Sequence, residues 1–140
     1  MAQRTLGEIV RDQEPLTMLP EATVAEACAA MYARKVGAVL VTDAERRLLG
    51  IFTGRDAVRL LAEGLDAKTT PIASVMTKQP TTLGPRASAM DALLAMTDRG
   101  CRHLPIVAEG RVAGIVSRYD FRAKEYTRLD EETGFMEMLR

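Results

Sequence analysis

The phrase Gly50-Ile51-Phe52-Thr53-Gly54-Arg55-Asp56 returns as Gly114-Ile115-Val116-Ser117-Arg118-Tyr119-Asp120, and the match extends over most of the chain. With a shift of about 64 to 66 residues, Ile9-Val10 falls on Val75-Met76, Pro15 on Pro80, Leu19 on Leu83, and Thr23 to Ala27 on Ser88 to Ala92. Met31 then meets Met96, Arg34 meets Arg99, and Val39-Leu40-Val41 meets Leu104-Pro105-Ile106. This periodicity limits the fold more than any other feature does. One copy of this length buries too little to hold a core by itself, so two copies must complete one another. The 140 residues then divide into residues 5–66, residues 67–127 and a tail of residues 128–140.

Local signals give both copies the same order of elements. Thr23 and Ser88 read as helix N-caps, with Glu26 and Asp91 three residues on, where a carboxylate is favoured. Apolar residues at helical spacing follow, and Gly37 and Gly100 mark the expected ends of these helices. Ala38 to Val41 and Leu104 to Val107 are apolar runs of strand length. Polar turns lead from them to strands over Leu48 to Thr53 and Val112 to Ser117, and closing helices are expected near Asp56 and Asp120. A short first strand, around Leu16 to Leu19 or Thr81 to Leu83, completes a strand-helix-strand-strand-helix pattern of the α+β class. Gly64 to Pro71 is the joint between the copies. The tail, acidic and then carrying Phe135-Met136-Glu137-Met138-Leu139, reads as a short amphipathic end.

The repeated phrase supports two readings. Thr53-Gly54-Arg55-Asp56 and Ser117-Arg118-Tyr119-Asp120 fit the [ST]-x-x-[DE] capping box, in which hydroxyl and carboxylate satisfy the free N–H groups at a helix start. Ser88-Ala89-Met90-Asp91 has the same form and is read as a cap alone. The functional reading adds that a helix start attracts phosphate, that the hydroxyl can donate to it, and that the aspartate can accept both hydroxyls of a ribose. The glycine at the head of the phrase permits close backbone approach. A carboxylate cannot cap the helix and hold a ribose equally well.

Two copies of Gly-apolar-apolar-[Thr/Ser]-x-x-Asp, each preceded by an aliphatic strand and a helix, with Arg102-His103-Leu104-Pro105-Ile106-Val107 in the second, resemble a tandem pair of CBS domains over about residues 5 to 127. The resemblance implies two CBS repeats related by a pseudo-two-fold axis, with their sheets packed together and helices outside. It implies an adenosine-containing ligand (AMP, ADP, ATP or S-adenosylmethionine) in one or both of two clefts, no catalytic cofactor, and a homodimer that regulates an enzyme, channel or transporter. Carried over to these residues, Thr53 and Asp56 hold phosphate and ribose in one cleft and Ser117 and Asp120 in the other. The clefts are expected to be crossed. Cys101, Arg102 and His103 border the Thr53/Asp56 cleft, and Val36, Gly37 and Ala38 border the Ser117/Asp120 cleft, with Thr81 a weaker addition. Gly37-Ala38 in place of Arg102-His103, and Leu40 in place of Pro105, make the clefts unequal.

Charge and composition remove other classes. Lys plus Arg equals Asp plus Glu at 19 each, so no global field draws a nucleic acid or an anionic membrane, and nucleic-acid binding would need a local patch. No apolar run is long enough to span a bilayer. Cys28 and Cys101 lie far apart in aliphatic surroundings and read as buried thiols of a reducing compartment. With no apolar leader at Met1 to Thr5, the expected address is the cytoplasm. No Cys or His pair has zinc spacing, no nucleophile is paired with a base, and no phosphate-loop or dinucleotide fingerprint is present, so neither a metal site nor an enzyme is expected. The alternative to a ligand sensor is a structural, dimerising module whose motifs only cap helices.

Overall fold

The computed structural model describes residues 4–133; the apolar tail around Phe135 to Leu139 lies outside the described residues. In chain order the elements are α1 (Leu6–Val10), β1 (Thr17–Met18), α2 (Val24–Arg34), β2 (Ala38–Thr42), β3 (Leu48–Thr53) and α3 (Gly54–Ala62). A 3₁₀ turn (Ile72–Ser74), β4 (Thr77–Lys78), α4 (Ala89–Arg99), β5 (His103–Ala108), β6 (Arg111–Ser117), a second 3₁₀ turn (Arg118–Asp120) and α5 (Ala123–Thr133) follow. The strand-helix-strand-strand-helix order read from sequence is present in the first copy and, with two local changes, in the second.

Packing groups the chain into two compact units that do not follow the sequence halves. One holds Glu14–Pro80 with Glu109–Val112; the other holds residues 4–13, Thr81–Ala108 and residues 113–133. Each unit therefore contains the body of one copy and the opening segment of the other. Helix starts explain why. Val24 N–H at the head of α2 donates to the Thr70 carbonyl (2.9 Å), and Ala89 N–H at the head of α4 donates to the Arg4 carbonyl (2.9 Å). Ile72 N–H reaches Ala22 O (2.7 Å) and Leu6 N–H reaches Ala87 O (2.8 Å) in the same relation. The first amides of a helix lack partners inside it, and the opening segments supply the acceptors.

In the first unit the sheet runs β1-β2-β3-β4, with β1 parallel to β2 and the other neighbours antiparallel. Val39, Val41 and Phe52 face Val24, Ala27 and Met31 of α2, Leu60 of α3 and Ile72, all buried. Gly50 is where β4 and its lead-in press closest, beside Met76 and the Thr77 carbonyl. Residues 109–112 also belong here, through Val112 N–H to Arg46 O (2.9 Å) and Arg111 Nε to Glu45 O (3.1 Å).

In the second unit β5 and β6 form a two-stranded sheet. Its core is Leu6 and Val10 of α1, Ala89, Met90, Ala92, Leu93 and Met96 of α4, Leu104, Ile106, Val116, Phe121 and Leu129. Among the described residues no strand lies beside β6 as β4 lies beside β3. Instead the Gln13 amide spans the Ile115 backbone, donating through Nε2 to its carbonyl and accepting its N–H at Oε1, both at 2.8 Å. One side chain thus does for Ile115 what a strand does in the other unit.

Three sequence expectations are corrected. The strand expected at Thr81 to Leu83 is reduced to one parallel bridge, Leu83 to Ile106. The reason is Pro105: its counterpart Leu40 donates its N–H to Leu16 O (2.9 Å), whereas proline has no N–H to extend the ladder. Helix α2 stops not at Gly37 but at Lys35, which takes the left-handed conformation (φ 56°) and donates its N–H to Met31 O and Tyr32 O; Gly100 ends α4 as expected (φ 66°). The helix expected at Asp120 is a three-residue turn. Phe121 is then extended and enters the core, its ring edge-on to Tyr126 at 6.3 Å, so α5 begins at Ala123.

Candidate functional site

Both repeated phrases sit where a strand hands over to a helical turn. At the end of β3, Thr53 is extended and caps α3. Asp56 Oδ2 accepts from Thr53 N–H (2.9 Å) and from Thr53 Oγ1 (3.1 Å), while Thr53 Oγ1 accepts from Asp56 N–H at 3.4 Å. At the end of β6, Asp120 Oδ2 accepts from Ser117 N–H (2.7 Å) and more weakly from Ser117 Oγ (3.4 Å). The capping reading of both motifs therefore holds in the structure, and Thr23 with Glu26 and Ser88 with Asp91 form the same box. In Asp56 and Asp120 alike, one carboxylate oxygen is engaged by the cap. The other, Oδ1, stands 3.6 Å from Arg59 Nη2 in Asp56 and lies outside the cap in Asp120.

The remaining residues lie in the same unit as the motif of their own copy. Ala38 is the β-partner of Thr53, and Gly54 N–H donates to the Gly37 carbonyl at 3.0 Å. Val36 and Gly54 line an open cavity of about 560 Å3 together with Met31, Tyr32, Ala33 and Lys35. Val36, Gly37 and Ala38 thus lie next to the Thr53 turn within this unit. Likewise Cys101, Arg102 and His103 open β5 in the unit that carries Ser117 and Asp120. Thr81 is half-buried in that same unit.

His103 is where the second motif's electrostatics gather. Burial pushes its imidazole below the usual histidine value, the Arg102 guanidinium adds to that shift, and the Asp120 carboxylate opposes it. Both cysteines are partly exposed rather than fully buried, and unpaired; desolvation raises each thiol, with hydrogen bonding and Arg99 partly opposing this at Cys101. Two residues with clear roles had no signal in the sequence: Gln13, described above, and Arg4, whose guanidinium meets Glu125 and the Asp120 carbonyl. A single polar residue near a terminus forms no pattern, so neither stood out. Among the described residues, no group of three or more His, Cys, Asp or Glu is placed to hold a metal ion, and no helix is long and apolar enough to cross a membrane.

Two copies of one α+β pattern, each ending its central hairpin in a hydroxyl-carboxylate turn, define a tandem-repeat module. The chain belongs to the CBS domain family, whose model matches residues 6–63 and 72–125. It is 36% identical over 115 residues to the CBS domain-containing protein CBSCBSPB1 of Arabidopsis thaliana, covering 81% of this chain and 21% of that protein. The chain thus spans about a fifth of the length of that curated relative. Among solved structures it is similar to the CBS domain protein PAE2072 from Pyrobaculum aerophilum complexed with AMP, at TM-score 0.83 and 22% identity, covering 91% of this chain and 98% of that one. The CBS domain pair of protein MJ0100, in complex with 5′-methylthioadenosine and S-adenosyl-L-methionine, aligns at TM-score 0.75 and 20% identity, covering 94% and 98%.

Proposed function

We propose that this chain is a regulatory module that binds an adenosine-containing ligand, AMP, ADP, ATP or S-adenosylmethionine, and passes its state to a partner enzyme or transporter. The observation that carries this reading is the division of labour in Asp56 and Asp120: Oδ2 holds the turn, while Oδ1 stays outside it, contacted at 3.6 Å by Arg59 in Asp56, and can accept the hydroxyls of a ribose. The same carboxylate can then cap and bind, one oxygen for each task. Thr53 Oγ1 and Ser117 Oγ each carry one hydrogen, which turns from the aspartate to a phosphate when the ligand arrives. Val36, Gly37 and Ala38, together with Cys101, Arg102, His103 and the weaker Thr81, are the further residues of the two clefts, and Arg102 supplies a fixed positive charge for phosphate. A cavity of about 560 Å3 beside Gly54 is within the usual range of ligand pockets. The named structural neighbours, complexed with AMP and with S-adenosylmethionine, point to the same ligand class.

The module works as a non-catalytic homodimer, with Val58 (68% exposed) and Leu61 (81% exposed) of α3 in its contact surface. Regulation requires that the ligand prefer one of two arrangements of the module. Isothermal titration with AMP, ATP and S-adenosylmethionine tests the reading. Asp56→Ala and Asp120→Ala are each expected to remove one binding phase, beyond the stability cost of about 1 kcal/mol for a lost cap. Titrations without heat for any of the three ligands, and aspartate variants altered in stability alone, would support the structural alternative.

A further inference from the structure

The two motifs are built alike but held differently. Asp56 sits in the first turn of an α-helix that continues to Ala62, so the carbonyls around it find helical amides further along. Asp120 has no such support, because the turn Arg118–Asp120 ends at an extended Phe121. Its carbonyls are instead taken by side chains: Arg118 O accepts from the Tyr126 hydroxyl, and Asp120 O accepts from Arg4 Nη2 at 3.0 Å. Arg4 is itself fixed by a two-point contact with Glu125, Nη2 to Oε1 at 2.6 Å and Nε to Oε2 at 3.1 Å. Glu125 also accepts the Arg122 N–H at 2.7 Å, which ties the pair to the start of α5. Both side chains are largely covered, at 22% and 12% exposure, and a fork-to-fork contact of this kind fixes direction as well as distance. The backbone of Arg4 meanwhile accepts from Ala89 at the head of α4.

We propose that Arg4 is a positioning residue of the Ser117/Asp120 site: it clamps the turn that aims the Asp120 carboxylate, and so sets ligand affinity there without touching the ligand. The proposal rests on the nucleotide reading above. It makes the second site dependent on how the N-terminal segment is docked.

The test uses full-length protein and AMP. In an Asp56→Ala background, which leaves the second site, Arg4→Ala is expected to weaken AMP about tenfold, the worth of one lost charge-assisted hydrogen bond. In an Asp120→Ala background, which leaves the first, the same change is expected to leave affinity unaltered; a general loosening of the fold would weaken both. Arg4→Lys, which keeps the charge but not the fork, is expected to recover part of the loss. Glu125→Gln, which keeps the volume, carries the test if Arg4→Ala does not fold, and is expected to weaken the second site alone. Equal AMP affinity with and without Arg4 at the second site, or equal loss at both sites, overturns the proposal. Wild-type protein that binds none of AMP, ATP and S-adenosylmethionine overturns the nucleotide reading itself, and the proposal with it; if AMP alone fails, the same variants are compared with whichever of the three binds.

Discussion

Replacing Gly50 or Gly114 by alanine puts the role of the repeated phrase to a direct measurement. A methyl group at Gly50 would lie 2.5 Å from Met76 Sδ and 2.7 Å from the Thr77 carbonyl oxygen; at Gly114 it would lie 2.5 Å from Val10 Cβ and 2.9 Å from Gln13 Oε1. Carbon atoms in contact rest at about 3.5–4.0 Å, so each site must open by about 1 Å. Neither neighbour gives easily. The Thr77 backbone is held by the pairing of β4 with β3, and Val10 is a buried end of α1. Overpacking of this kind costs about 1–3 kcal/mol, and the reduced freedom of the unfolded chain offsets about 0.4–1 kcal/mol of it. The net loss is about 1–2 kcal/mol for each variant, read as a lower urea midpoint at constant slope. Gly54→Ala is the matched control from the same phrase. Its Cβ meets nothing within 4 Å, and Gly54 opens α3, so alanine there is expected to leave stability unchanged or raise it by up to about 1 kcal/mol. If Gly50→Ala and Gly114→Ala unfold at the wild-type midpoint, or Gly54→Ala falls as far as they do, the packing explanation of these glycines is wrong.

Gln13→Ala removes both partners of the Ile115 backbone and is expected to cost about 1–3 kcal/mol in a urea titration; a cost near zero would mean the amide is not standing in for a strand. His103, the one histidine in the chain, is expected to titrate below the usual imidazole value by proton NMR. Its midpoint should fall further in Asp120→Asn and rise in Arg102→Ala. Because the unfolded chain takes up this proton more readily, the neutral imidazole's contribution to stability is present above about pH 6.5 and is lost as pH falls through the folded value. A midpoint at or above the ordinary value would refute the burial argument. Cys28 and Cys101, with thiols raised by desolvation, are expected to react with a disulfide reagent at pH 7 more slowly than a free thiol, and to approach its rate in denaturant.

The sequence alone determined the doubling of the pattern, the helix starts at Thr23 and Ser88, and the hydroxyl-aspartate turns that close β3 and β6. All of these rest on interactions within a few residues, so the local residue types are sufficient to specify them. It also set the unequal first strands, since Pro105 lacks the N–H that Leu40 uses, although the consequence showed only once the partner strand was in place. What the tertiary structure decided is which opening segment serves which body. Residues 4–13 and 67–80 offer nearly the same backbone acceptors and the same apolar fillers for a glycine groove, so a repeat read along the chain gives no reason to prefer its own copy over the other. The roles of Arg4 and Gln13 were decided in the same way. Each acts on a residue more than a hundred positions away, and a contact at that separation leaves no periodicity in sequence, because it exists only after the chain has folded back on itself.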